Sequence, residues 1–285
     1  MSVAVFTPAH ITGFFTIENN INPKKNGSCG VGFLLDKGVK TTIKNSNQFE
    51  LNTNQGNNII INQVLKYFDC DNDFKIIQDI QVPIGAGFGT SAASALSSTL
   101  ALNDFLDYGY SYVECGQIAH EVEISIGGGL GDVIAQTGQG IVLRKKPGAP
   151  GIGEIECFRK DIYIGVKSFS PIDTSSVIGD ESYRENICKT GRRCLGEFVH
   201  DSSIANFLEL SYDFSVKTKL VSDEVKRCMD YFNSIDDILG ASMAMLGNTV
   251  FIFTYHKNIF DELNIENLNT YQLNNKGITY DKTQL

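Results

Sequence analysis

A two-lobed protein of mixed helices and strands is what this sequence predicts, and three observations carry that expectation. At 285 residues the chain exceeds what one simple hydrophobic core usually holds. Its first half alternates short apolar runs with turns before entering a glycine-rich loop and an apolar helix. Its second half opens on a strand, carries helical spacing around residues 180 to 232, and closes on strands.

In chain order, Val3 to Phe6 and Phe14 to Ile17 are short apolar runs of strand type, and Val31 to Leu35 with Val39 to Ile43 resemble a hairpin. Residues 44 to 58 are rich in Asn and Gln and read as loop, and Ile76 to Val82 is a strand leading into Pro83. After the glycine-rich loop, Ala92, Leu96 and Leu100 fall four apart while Ala93, Leu102, Phe105 and Leu106 widen the apolar face of a helix. Tyr112 to Ile126 has helical spacing at Val113, Ile118, Val122 and Ile126 and stops at Gly127 to Gly129. A strand from Gln139 to Arg144 runs into Lys-Lys-Pro-Gly-Ala-Pro-Gly, the most turn-rich stretch of the chain. The lobe boundary is placed just beyond it, dividing residues 1–155 from 156–285. The second lobe begins with a strand at Ile162 to Val166 and ends with strands bracketing Leu246-Gly247-Asn248, a tight turn.

Composition narrows the function classes. A hydrophobic share of 42% and a charged share of 20% are ordinary for a globular protein. No apolar stretch reaches membrane-spanning length and the first residues lack the basic region of a signal peptide, which predicts a cytoplasmic protein without a membrane partner. Cysteines at 29, 70, 115, 157, 188, 194 and 228 form no CxxC pair and are odd in number, arguing against a zinc site or a disulfide framework. A formal charge of −9 without clustered Lys or Arg argues against a nucleic-acid surface.

Residues 83 to 93, Pro-Ile-Gly-Ala-Gly-Phe-Gly-Thr-Ser-Ala-Ala, have the makings of a phosphate cradle. Without Cβ atoms at Gly85, Gly87 and Gly89 the backbone can take left-handed angles and come close to a ligand. The amides of the following first helical turn lack intrahelical partners and sit at the positive end of the helix dipole. A Walker loop would end Gly-Lys-Ser/Thr, and Gly89-Thr90-Ser91 has no lysine; a dinucleotide loop needs its third glycine one position later.

The loop resembles the second motif of the GHMP kinases, Pro-x-x-x-Gly-Leu-Gly-Ser-Ser-Ala, with Pro83, Gly87, Gly89, Ser91 and Ala92 matching and Phe88 and Thr90 as variants. Thr7-Pro8-Ala9-His10-Ile11-Thr12-Gly13-Phe14-Phe15 stands where that superfamily has its first motif. Gly240-Ala241-Ser242-Met243-Ala244-Met245-Leu246-Gly247-Asn248 stands where the third belongs. The wording of these segments, with Gly27-Ser28-Cys29-Gly30-Val31-Gly32 and Gly129-Leu130-Gly131-Asp132-Val133, is most similar to the archaeal pantoate kinases, from about residue 3 to about residue 256. The resemblance implies an α+β protein with the two-lobed GHMP kinase fold, its first lobe like domain 2 of ribosomal protein S5 and its second ferredoxin-like. It also implies an ATP-dependent kinase that phosphorylates the primary hydroxyl of pantoate on the way to coenzyme A, and a homodimer is common among such enzymes.

On that resemblance Pro83, Gly85, Ala86, Gly87, Phe88, Gly89, Thr90, Ser91 and Ala92 are the candidate ATP contacts. Asp132 is the candidate base, matching a catalytic aspartate after the same helix in mevalonate kinases; an aspartate in a turn or cap is the plain alternative. Mg²⁺ is the implied metal, with Ser91 as one oxygen ligand and either Glu123 or Glu121 as the carboxylate. Two apart on a helix, these glutamates point to different faces, so only one can serve. Relatives place Lys or Arg in the first motif where this chain has His10, which either donates to phosphoryl or substrate or shapes the pocket.

Pantoate is an anion, so its pocket calls for a cation or a nest of amides. Ser28 and Gly30, within Gly27-Ser28-Cys29-Gly30, offer amides and a hydroxyl; Arg192 and Arg193 offer charge. Thr174 and Ser175 are further polar candidates, as readily turn residues, and Met243 and Met245 read as packing. Two other readings stay open: another GHMP specificity, such as homoserine or a mevalonate-like alcohol, and a catalytically silent metabolite-binding regulator on the same fold.

Overall fold

The computed structural model describes residues 1–56, 58–69, 73–169 and 181–283. Its first sheet is organised by two long strands, β1 (Ser2–Phe15) and β2 (Gly30–Asn45), which pair antiparallel along almost their whole length. The two predicted runs at each of these places are therefore single strands. The expected hairpin at residues 31 to 43 is corrected: the chain passes straight through Asp36-Lys37-Gly38, and a register shift between Pro8 and His10 absorbs the extra residues.

β3 (Glu50–Thr53) falls in the segment read as loop and runs parallel to β4 (Phe74–Ile80), the strand that pairs with the second half of β2. Only one buried face is available at this edge, and a four-residue strand of Glu, Leu, Asn and Thr carries almost no apolar alternation to announce it. The first half of β2 pairs instead with β5 (Ile141–Lys146), which pairs in turn with β6 (Glu154–Phe158). Four helices accompany this sheet: α1 (Ile59–Leu65), α2 (Thr90–Leu106), α3 (Tyr112–Ser125) and α4 (Asp132–Gln136).

α2 is buried on nearly every side from Ala92 to Leu102, which explains its small residues. Where it crosses the sheet its contacts are polar as well as apolar. Ser94 Oγ donates to Gln78 Oε1 (2.7 Å), Gln78 Nε2 donates to Thr41 Oγ1 (3.0 Å) and Ser98 Oγ (3.2 Å), and Thr41 and Ser97 hydroxyls lie 2.7 Å apart. A satisfied buried network of this kind fixes the helix in one rotation and one translation.

The second sheet holds β7 (Tyr163–Ser168), β8 (Gly240–Met243), β9 (Thr249–Thr254) and β10 (Leu268–Gln272) in the order β10-β7-β9-β8, all antiparallel. Between β7 and β8 run α5 (Glu181–His200), α6 (Ile204–Lys217) and α7 (Asp223–Phe232), and α8 (Ile259–Leu263) joins β9 to β10. Strand, helix, strand, strand, helix, strand with this spatial order is ferredoxin-like. A last strand, β11 (Thr279–Thr283), returns to pair with β1 in the first sheet.

One apolar core joins the two sheets. Phe33 of β2 meets Phe251 and Phe253 of β9 with ring centroids 4.9 Å apart in each pair, and Phe14 of β1 meets Phe198 and Phe207 of α5 and α6. Aromatic edge-to-face pairs of this kind add to the burial itself. Among the described residues, no helix is long and apolar enough to cross a membrane.

Candidate active site

The glycine-rich loop follows β4 from Pro83 and takes left-handed angles at Gly85, Gly87 and Gly89, with φ of 74°, 83° and 57°. Gly89 is the N-cap of α2, no side chain caps the helix, and the first bond across that end is Ala93 N–H to Gly89 O (3.0 Å). The uncapped end is the feature expected of an anion seat. Backbone from β1 and from the β8–β9 segment meets the loop: His10 N–H donates to Phe88 O (3.0 Å) and a Cβ on Gly247 would strike Ala86 O at 2.2 Å, while Met245 N–H donating to Thr12 O (3.0 Å) ties the two supports together.

A cleft of about 370 Å³ opens beside this loop. Its walls include Gly85, Gly87, Phe88, Gly89, Thr90 and Ser91 of the loop, Gly127 to Asp132 of the next glycine run, Ser28, and Met245 and Leu246 of the third motif. Ser91 and Asp132 line the cleft, and Glu123 is buried behind Ser91 and Gly129. Ser91 Oγ donates to Glu123 Oε2 (3.1 Å), Gly129 N–H donates to the same oxygen (2.9 Å), and Asp132 follows at the start of α4. Glu123 is fully buried and its Oε1 has no partner. Burial first, and the charge of Asp132 second, push its pKa up to about 7. Glu121 does not join them: it lies half-buried on another face of α3, where its charge acts on Tyr67 and His120.

His10 is fully buried and is closed to solvent. Its Nδ1 is 2.6 Å from Asp132 Oδ1, and its Nε2 is 3.3 Å from Arg144 Nη1. Arginine only donates, so Nε2 accepts, and the proton belongs on Nδ1, which donates to Asp132. Burial keeps the imidazole below its ordinary pKa against the opposing pull of Asp132, and it is therefore neutral. For Asp132 burial works upward, but the hydrogen bond from His10 and the field of Arg144 hold the carboxyl below its ordinary value.

Arg144 is the residue that sequence reasoning missed. It stands on β5, 1% exposed, lining the cleft, outside every ion pair of the described residues, with Nε unpartnered. Burial lowers its pKa and Asp132 opposes that, and a guanidinium stays charged in any case. A rung of the sheet explains its position: Phe15, Gly30 and Arg144 are paired across β1, β2 and β5. A Cβ on Gly30 would come 2.8 Å from Arg144 Nη2, and one on Gly32, two residues along β2, 2.3 Å from His10 Nε2. The glycines of Gly30-Val31-Gly32 thus make room for the two side chains.

That finding revises the expected amide nest at residues 27 to 30. Gly27 N–H donates to Glu18 O, Cys29 N–H to Thr16 Oγ1, and Gly30 is built into the sheet, which leaves Ser28 as the residue of this segment that lines the cleft. His120, buried on α3, holds the segment before Ser28 through Nε2, which lies 3.2 Å from Pro23 O and 2.9 Å from Asn26 O. Arg192 and Arg193 do not reach the cleft. Arg192 is exposed with its guanidinium 3.6 Å from Glu18, and Arg193 is engaged by Glu197 and Asp213. Thr174 and Ser175 lie outside the described residues.

Comparison with known proteins bears on the same architecture. Residues 58–140 match the GHMP kinases N terminal domain. The chain is 36% identical to the pantoate kinase of Methanocaldococcus jannaschii over 265 residues, covering 92% of this chain and 96% of that one. It is 32% identical to the pantoate kinase of Thermococcus kodakarensis over 267 residues, covering 88% and 87%. A solved structure described as a phosphotransferase related to the CoA biosynthesis pathway superposes with a TM-score of 0.84 at 27% identity, covering 99% of both chains. The expected α+β GHMP kinase fold is borne out.

Proposed function

Because this chain belongs to the pantoate kinases, within the GHMP kinases, we infer that it transfers the γ-phosphoryl group of ATP to the primary hydroxyl of (R)-pantoate, giving 4-phosphopantoate for coenzyme A synthesis. The observation that carries the reading is Arg144, a buried guanidinium without a carboxylate partner, facing the cleft beside Asp132 and Ser28. A buried cation left unpaired by its own protein calls for an anionic ligand, and a carboxylate meets a guanidinium fork with two parallel hydrogen bonds. An acceptor with a carboxylate at one end and a hydroxyl at the other spans Arg144 and Asp132.

The residues then divide the work. The loop amides from Gly85 to Ala92 receive the phosphates of ATP, and Ser28 hydrogen-bonds the acceptor. Phosphoryl transfer is mostly positioning and charge stabilisation, so the base is needed only to take the hydroxyl proton as the bond forms. Asp132 accepts that proton; neutral His10 keeps its carboxylate ionised and aimed. Arg144 supplies the fixed cation that relatives place in the first motif. Ser91 and Glu123 would hold Mg²⁺: the orphaned Oε1 of Glu123 and the adjacent hydroxyl are the oxygen pair that ion favours. When bound, the ion supplies neutralisation of the triphosphate. An enzyme drawing on ATP and a free metabolite belongs in the cytoplasm.

The test is ADP release by the purified protein with ATP and Mg²⁺, comparing D-pantoate with L-homoserine, mevalonate, galactose and no acceptor. Turnover with pantoate alone is expected. Preference for another alcohol would replace the acceptor, and no turnover from folded, ATP-binding protein would leave a silent binder.

A further inference from the structure

The cleft carries an apolar wall that neither phosphate nor carboxylate binding uses. Phe15 and Arg144 lie on one rung of the sheet with Gly30 between them, and the guanidinium occupies the place a Gly30 side chain would take: a Cβ there would meet Arg144 Nη2 at 2.8 Å. Ile17 continues the wall two residues beyond Phe15. Leu130 faces the same space from the glycine run. The glycine before it abuts Asp132, and the one after it abuts Ser28 and Arg144: a Cβ on Gly129 would meet Asp132 Oδ2 at 2.0 Å, and one on Gly131 would meet Ser28 Oγ at 2.3 Å and Arg144 Nε at 2.7 Å. Phe15 and Ile17 belong to the core that joins the two sheets, and Leu130 packs against it. The wall is therefore held by the core, and it lines the same cleft as the cation and the base.

We propose that Phe15, Ile17 and Leu130 receive the two methyl groups on the carbon next to the reacting carbinol, and that this contact sets acceptor specificity. The inference rests on the pantoate reading and adds to it the residues that distinguish pantoate from unbranched hydroxy acids. Arg144, Ser28 and Asp132 recognise a carboxylate and hydroxyls, which 2,4-dihydroxybutanoate carries as well. Only the apolar wall senses the quaternary carbon. An acceptor lacking the methyl groups leaves the wall facing water, and a hydrophobic pocket discriminates by about 10- to 200-fold for each missing methylene-sized group.

The experiment compares kcat/KM for D-pantoate and (R)-2,4-dihydroxybutanoate in the wild-type protein and in Leu130→Ala, with Ile17→Val as a milder second variant should the first fail to fold by circular dichroism. The wild-type ratio is expected to favour pantoate by about 100-fold, and the ratio to fall by about tenfold or more in Leu130→Ala. A wild-type ratio near one with pantoate turned over, or a ratio that both variants leave unchanged, overturns the wall and leaves the pantoate reading standing. Turnover of neither acid, with ADP released on another alcohol, overturns the pantoate reading and the wall together.

Discussion

His10 Nδ1 donates to Asp132 Oδ1 across 2.6 Å, joining the first sequence motif to the start of α4 over 122 residues of chain. Arg144 on the other ring nitrogen leaves the imidazole one tautomer, so the three side chains act as a unit with one arrangement of protons. His10→Phe keeps the ring and removes both bonds. Asp132 then loses the donor that lowers its pKa, so the acid limb of the kcat/KM against pH profile is expected to move to higher pH. An unmoved limb would detach His10 from the base.

Asp132→Asn retains the shape of the site and removes the proton acceptor. We expect kcat to fall by about 10²- to 10⁴-fold, the usual contribution of a general base, while ATP binding measured by fluorescence or calorimetry persists. Unchanged turnover would remove Asp132 from the base role and leave the fold assignment intact.

For Arg144→Lys the expected change is in the acceptor. The point charge of lysine cannot reproduce the fork, so KM for pantoate should rise by about 10²-fold with KM for ATP changed far less. Equal effects on both substrates would mean that the guanidinium supports the site as a whole.

Glu123 gives a pH dependence of opposite sign to that of Asp132. Its folded pKa, about 7, lies above the ordinary carboxyl value of 4.5, so the metal-free folded protein binds a proton that the unfolded chain releases between those values. Its contribution to stability therefore falls as pH rises through that window, by at most about 3 kcal/mol. In EDTA the melting temperature is expected to drop between about pH 4.5 and 7, and Glu123→Gln to flatten the drop.

Gly129→Ala tests the closeness of the glycine run to the base. A Cβ 2.0 Å from Asp132 Oδ2 forces the carboxylate or the loop to move. Activity should fall by about 10²-fold with the melting temperature nearly preserved, since the residue is in a partly exposed turn.

What could be read from the sequence was whatever neighbours in the chain express together. The loop from Pro83 to Ala92, its helix, and the carboxylates Glu123 and Asp132 announce themselves by local spacing; most of the loop and Asp132 line one cleft, with Glu123 bonded to Ser91 behind it. Arg144 was hidden because its role depends on β5 lying opposite Gly30, a pairing more than a hundred residues apart. In the sequence it opens an Arg-Lys-Lys run that resembles a solvated strand end. Arg192 and Arg193 misled for the complementary reason: helical spacing says nothing about which lobe a helix face meets, and acidic neighbours already engage both.

The backbone clasp on the phosphate loop has a mechanical consequence. Phe88 is held by His10 of the first sheet, while Gly247, from the segment joining β8 to β9, rests on Ala86. Any tilt of one sheet against the other must stretch the loop between these two grips. A nucleotide that stiffens the loop therefore stiffens the joint between the sheets as well, and slower amide hydrogen exchange at His10 and Met245 is how that tension would register from a distance.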